Sequence, residues 1–340
     1  MEEQYMAIFE TIKLDKTMYA NREGFSAALE KMDPSVNYAG TELAGLDAFQ
    51  RQLKRFDIKV SGANSDLVEK FFQCSESAAL FPEYVSRAVN QGISEASKLE
   101  NLVATVTKVN GFDYRTITSD NLDDSFDEVG EGSEIPQTII RTKENLVNLR
   151  KRGRMLVATY EAIRFQRLDL FTVTLRQIGA YIANAQIRDA VEVIMEGDGN
   201  DNAAEVLNTA TSGTLTYADL LMLWGAFESN EMNTMVVSPA MMQRIMNLEE
   251  MKAPNAKLDF LTTGKLSTPF GATILRSNSV PDDKIVALDR RYALEMVQAG
   301  DLLLDYDKLI DRQMERATIS CITGFAKIFQ NASKVLSLNG

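Results

Sequence analysis

Histidine is absent from this 340-residue chain. That removes Ser-His-Asp and Cys-His catalysis, histidine-ligated zinc or iron, and the usual general base near neutral pH. Catalysis would have to rest on paired carboxylates or a lysine. Only two cysteines occur, Cys74 and Cys321, far apart in sequence. They supply neither a disulfide framework nor a metal-spaced cluster, and folding in a reducing, cytoplasmic setting is the simple reading. No cofactor motif is found. No apolar run approaches the roughly 20 residues a membrane helix needs. The start, Met1-Glu2-Glu3, lacks the basic and apolar regions of a secretory signal. Bases are the minority charge, giving a formal net charge of -12. A protein that grips nucleic acid by counterion release needs a basic face. The acidity argues against tight, direct DNA binding and fits a soluble protein kept off polyanions.

What is present is a segregation of charge. Asp113 to Glu134 holds eight acids, among them Asp124, Asp127, Glu128, Glu131 and Glu134, and one base, Arg115. Arg141 to Arg176 holds nine bases, among them Arg141, Lys143, Arg150, Lys151, Arg152 and Arg154, against three acids. An acidic arm beside a basic one suggests a part that lies on a copy of itself. The eleven residues just named are the candidate inter-subunit contacts. No catalytic, cofactor-binding or metal-binding residue is assigned.

A long helix follows the basic block. Leu168, Phe171, Leu175, Ile178, Ile182 and Ala185 recur at spacings of three and four, one apolar stripe. From Leu168 to Glu196 such a helix spans about 43 Å, and Gly197 is a good stop. Earlier, Phe25, Leu29 and Met32 mark a short helix ending before Asp33-Pro34. Leu43, Leu46, Phe49, Leu53 and Phe56 lie on one helical face. Ser61 to Ser65 reads as a hinge. Phe81-Pro82 opens a helix through Val85 and Val89. Leu102 to Val109 reads as a strand, Asn110-Gly111 as its turn, and Tyr114 to Thr118 as its return. Glu128 to Met155 has few apolar residues and reads as an extended two-stranded hairpin. Beyond Gly199 the spacing predicts a helix capped by Thr216 and Asp219, a strand over Thr234 to Val237, and a helix begun by Ser238-Pro239. Strands follow around Ile274, over Ile285 to Leu288, over Leu302 to Ile310 and over Ala317 to Phe329.

Other motifs dissolve on inspection. Gly130-Glu131-Gly132 lacks the third glycine and the helix of a phosphate loop. Asp198-Gly199-Asn200-Asp201 resembles part of a calcium loop without its closing glutamate, and reads better as a helix-ending turn. Ser238 precedes a proline and a helical run, as an N-cap does. Met241, Met242, Met246 and Met251 make a soft helical face suited to core packing.

The order of these parts resembles the major capsid protein of tailed bacteriophages, with its Hong Kong 97-type fold. The stretches that carry the likeness are Glu128 to Met155, Thr159-Tyr160-Glu161 through Gly197-Asp198-Gly199, Thr234 to Met246, and Ala317 to Leu336. The resemblance implies an α+β capsid fold with an N-terminal helical arm over 1–75, the start of a P-domain over 76–127, an extended E-loop over 128–156, a P-domain spine helix over 157–199 and an A-domain over 200–300. Residues 301–340 would supply the returning P-domain strands and a C-terminal A-domain segment. It also implies a structural, non-enzymatic protein of the virion, assembled in the host bacterial cytoplasm. The partner would be the chain itself, in hexamers and pentamers of an icosahedral shell. A separate scaffold, portal and decoration proteins would join it, with packaged double-stranded DNA touched weakly and non-specifically and no membrane involved. Some members link subunits by a Lys–Asn isopeptide bond; Lys143, Lys151 and Asn331 are residues of those types, with no pair singled out. Some cleave off a fused scaffolding domain; an arm of about 75 residues is short for one and is expected to be retained. Two alternatives stand beside this reading: an encapsulin-like nanocompartment shell of the same fold, and a carboxylate-based enzyme.

Overall fold

The computed structural model describes residues 8–20, 24–121, 138–159, 161, 165–252, 269–309 and 314–339. In chain order its principal helices are α1 (Phe25–Met32), α2 (Ala48–Arg55), α3 (Ser75–Ala96), α4 (Leu168–Glu196), α5 (Tyr217–Gly225) and α6 (Pro239–Asn247). Its strands are β1 (Val103–Val109), β2 (Ile117–Asn121), β3 (Thr138–Thr142), β4 (Arg150–Thr159), β5 (Glu205–Asn208), β6 (Thr234–Val237), β7 (Thr273–Arg276), β8 (Lys284–Leu288), β9 (Leu294–Ala299), β10 (Leu303–Leu309), β11 (Met314–Lys327) and β12 (Ser333–Ser337). The chain divides into two compact units, and α4, β4 and β11 each pass from one into the other.

The first unit takes Met1–Ala96, Gly153–Ile182 and Leu302–Ser320. Its N-terminal helices are short. α2 starts at Ala48 rather than near Leu43, because Asp47 and Gln50 form a capping box there. Arg51 on α2 is wholly buried, 2.6 Å from Asp33 and stacked 4.3 Å from the Tyr38 ring centroid. α3 is a 22-residue helix, not one opened by Phe81-Pro82. A proline inside a helix forfeits one backbone bond, but Leu80, Phe81, Tyr84, Val85 and Val89 are all buried around it. That apolar face outweighs the lost bond. The α4 stripe from Leu168 to Ile182 is buried as its spacing predicts. In this unit it packs on α3: Phe81 and Tyr84 stack on Phe171, and the Tyr84 hydroxyl donates to the Leu168 carbonyl at 2.8 Å. The two backbones nearly touch. A Cβ on Gly92 would sit 2.1 Å from the Arg176 carbonyl oxygen, and one on Gly179 2.2 Å from that of Val89. β10 pairs antiparallel with the first half of β11, and β4 also pairs with β11.

The second unit takes Ser97–Arg152, Ala183–Asp301 and Cys321–Gly340. Ile187, Ala190, Val191 and Ile194 of α4 are buried with Val286, Leu294, Phe325 and Val335. Here the helix does rest on strands that follow Leu302. It ends at Gly197, whose φ of 88° is the left-handed stop its position predicts. β1 pairs parallel with β9, not with a return strand after Asn110-Gly111. The hairpin reading fails because the residues after that turn pair elsewhere. The amides of Lys143 and Val147 donate to the carbonyls of Thr116 and Tyr114, both at 2.9 Å, and β2 continues as an antiparallel ladder with β3. The described strands of the excursion over 117–159 are thus 117–121 and 138–142, paired with each other, and β4. A five-stranded sheet in the order β5-β12-β8-β6-β7 carries α5 and α6. The Thr216–Asp219 capping box and the Ser238 cap with Pro239 at the first helical position both form as expected.

Candidate functional site

The excursion of 117–159 concentrates the candidate residues, and its parity sorts them. Asp124, Asp127, Glu128, Glu131 and Glu134 lie outside the described residues. Arg141 sits on β3, opposite Thr118. Among the described residues the β2–β3 ribbon has two strands, and Ile117 and Ile140 are 56% and 70% exposed. A ribbon of two strands is marginally stable in water by itself.

On β4 the side chains alternate between faces. In the second unit, Arg150 and Arg152 reach the acids of α4. Arg150 makes a paired contact with Glu192, at 2.7 and 2.8 Å, and a bond of 3.2 Å to Asp189. Arg152 donates its Nε to Asp189 at 3.0 Å and also its Nη2. The hydrogen bonds from Arg150 hold the Glu192 carboxyl below its ordinary range, and Glu192 pushes the guanidinium upward. In the first unit, Arg154 lies 4.5 Å from the Tyr181 ring centroid. Lys151 has the opposite parity and is exposed. Met155 and Val157 share its parity and are about half exposed.

Two further clamps in the second unit hold the root of the excursion. Glu295, buried on β9, accepts hydrogen bonds from the hydroxyls of Thr107, Tyr114 and Thr116. Burial together with that carboxylate raises the Tyr114 pKa. On the returning side, Lys143 is paired with Asp198 at 3.3 Å and donates to the Lys327 carbonyl. Burial alone would raise the Asp198 pKa; hydrogen bonds from Asn200 and the charge of Lys143 bring it below the usual value. The structure therefore brings Lys143, Arg150 and Arg152 against acids of their own chain.

Of the partners, Asp198 was noticed in the sequence only as part of a helix-ending turn, and Asp189, Glu192, Glu295 and Lys327 were not singled out. A signal existed for two of them. Asp189 and Glu192 are three apart on α4 and off its apolar stripe, and Arg150 and Arg152 are two apart on a strand, so each pair lies on one face. Among the described residues no group of three or more His, Cys, Asp or Glu could hold a metal ion, and no helix is long and apolar enough to cross a membrane.

The phage capsid protein family matches residues 143–305. No curated protein sequence matches the chain. Among solved structures, the capsid of a native GTA particle aligns at a TM-score of 0.53 and 16% identity, covering 74% of this chain and 90% of that one. The capsid of the cyanophage P-SCSP1u aligns at 0.51 and 15%, covering 71% and 88%. A virus-like particle from Pyrococcus furiosus aligns at 0.51 and 12%, covering 75% and 98%. The mixed helix-and-sheet fold is that of the Hong Kong 97-type capsid proteins.

Proposed function

We propose that this chain, a shell-forming capsid protein of the Hong Kong 97-type fold, is the repeating subunit of an icosahedral bacteriophage shell. Hexamers and pentamers of it enclose double-stranded DNA. The observation that carries this reading is the β2–β3 ribbon, which exposes Ile117 and Ile140 and, among the described residues, is two-stranded. A neighbouring subunit is the natural cover. The half-exposed Met155 and Val157 of β4, and Leu170 and Val173 of α4, offer apolar surface of the same kind.

In this proposal the sheet carrying α5 and α6 serves as the A-domain, and α4 as the spine of the P-domain. The acidic residues Asp124, Asp127, Glu128, Glu131 and Glu134 meet basic residues of a neighbour. Lys151, Arg154 and Arg141, all exposed, are the candidates on the basic side. Arg150, Arg152 and Lys143 serve first to hold the excursion to its own subunit. The net charge of -12 keeps DNA contacts weak, so a packaging motor and portal supply the work of filling the shell. A scaffold and decoration proteins complete the partners, and assembly takes place in the host cytoplasm.

Sedimentation velocity of the purified chain, alone and with a co-expressed scaffold, tests the proposal. Capsomer-sized or larger species are expected. A single monomer boundary under every condition would refute it.

A further inference from the structure

The buried charges at the root of the excursion are unevenly matched. Two lysines share the field of one carboxylate, Asp198: Lys143 is paired with it at 3.3 Å, and the charge of Asp198 acts on the Lys327 amine. The side chains of Lys143 and Asp198 are only 9% and 3% exposed. Lys327 is 0% exposed, and its Nζ is enclosed without a hydrogen-bond partner. It is the main-chain amide of Lys327, not its amine, that donates to Asp198, at 2.9 Å. An enclosed amine with no acceptor is costly, and an enclosed ammonium more so.

We propose that Lys143 and Lys327 compete for Asp198, so that protonation of Lys327 loosens the excursion root from the turn after α4 and deprotonation fastens it. Lys143 lies on the chain leading into β4, so whatever happens to its ion pair is felt where the excursion returns to the subunit. Burial pushes the Lys327 pKa down to about 8; Asp198 opposes that push and Lys143 adds to it. Those are the charged groups that act on it. The acid on the adjoining strand, Glu295, is opposite Ala326 and so lies on the other face of the sheet, engaged by three hydroxyls. The sign follows from the depressed value. Below about pH 8 the amine is charged and draws on Asp198. As pH rises from there toward the ordinary lysine value, the charge leaves and Lys143 keeps the carboxylate alone.

The latch belongs to the folded subunit, so its test needs no shell and can fail independently of the capsid assignment. Hydrogen–deuterium exchange of the full chain is followed from pH 6 to 10 and corrected for intrinsic rates. The reporters are the amides of Lys143 and Val147, which bond to Thr116 and Tyr114. Wild type should gain protection there by about tenfold between pH 7 and 9, the factor that one pKa unit represents. Lys327→Met should be protected at both values with no such rise. Asp198→Asn, which removes the contested carboxylate, should exchange rapidly throughout. A wild-type profile without a pH dependence at these amides would overturn the proposal. So would an equal rise in Lys327→Met or, should that variant not fold, in Asp198→Asn.

Discussion

Replacing Asp189 by alanine separates the folding role of the basic strand from the assembly role proposed for it. Asp189 is 5% exposed at its side chain and accepts hydrogen bonds from both Arg150 and Arg152. Arg150 keeps Glu192 when Asp189 is removed, whereas among the described residues Asp189 is the acid bonded to Arg152. Breaking a fully buried pair costs about 3–5 kcal/mol, and an exposed pair contributes about 0–1 kcal/mol. These arginines are about one-third exposed, so the loss falls between, at about 2 kcal/mol. Reversing Arg150, Lys151 and Arg152 together to glutamate is worse, because two new carboxylates face Asp189 and Glu192. The charge pattern alone predicts that this triple variant folds and only fails to assemble; the bonds of Arg150 and Arg152 to α4 predict that the subunit itself is weakened. Lys151→Glu alone should change stability by less than about 0.5 kcal/mol, since Lys151 is exposed. Urea unfolding of the unassembled subunit reads all three, with the midpoint moving and the slope unchanged. Equal loss in Lys151→Glu and Asp189→Ala, or no loss in Asp189→Ala, refutes the reasoning.

Other outcomes follow from packing and protonation. Gly92→Ala and Gly179→Ala each place a methyl against backbone atoms of the opposing helix. Each should cost about 1–3 kcal/mol or more, read as a lower thermal midpoint of the soluble subunit. Asp289 is 0% exposed. Burial alone would raise its pKa, but hydrogen bonds from Arg291, the Glu231 amide and Asn233 bring it to about 2. A depressed carboxylate contributes stability above its ordinary pKa and loses it as pH falls through the folded value. The contribution is about 2 kcal/mol. Asp289→Asn should therefore be less stable at neutral pH and should show a shallower loss of stability between about pH 4 and 2 on acid titration.

The sequence was most legible where one periodicity ran unopposed. The stripe from Leu168 and the stop at Gly197 mark α4 with both ends right, and the caps at Thr216 and Ser238 place α5 and α6. It misled where a strong local signal lost to a distant partner. Pro82 reads as a helix start, yet the buried face from Leu80 to Val89 carries α3 through it. Asn110-Gly111 reads as a hairpin turn, yet Thr107, Tyr114 and Thr116 are drawn to Glu295, nearly 200 residues on. The basic residues were visible as a block, but only strand parity divides Arg150 and Arg152, bound to α4, from Lys151 on the open face. Lys327 gave no signal, since nothing in a strand sequence tells which lysine will be enclosed.

The central claim is that this chain builds a closed shell, and electron microscopy of the purified protein, expressed alone and with a candidate scaffold, tests it most directly. The account predicts uniform closed particles whose symmetry averaging resolves hexamers and pentamers, with the β2–β3 ribbon of each subunit lying on a neighbour. Monodisperse single subunits, or particles in which that ribbon folds back over its own chain's 200–300 region, would contradict it.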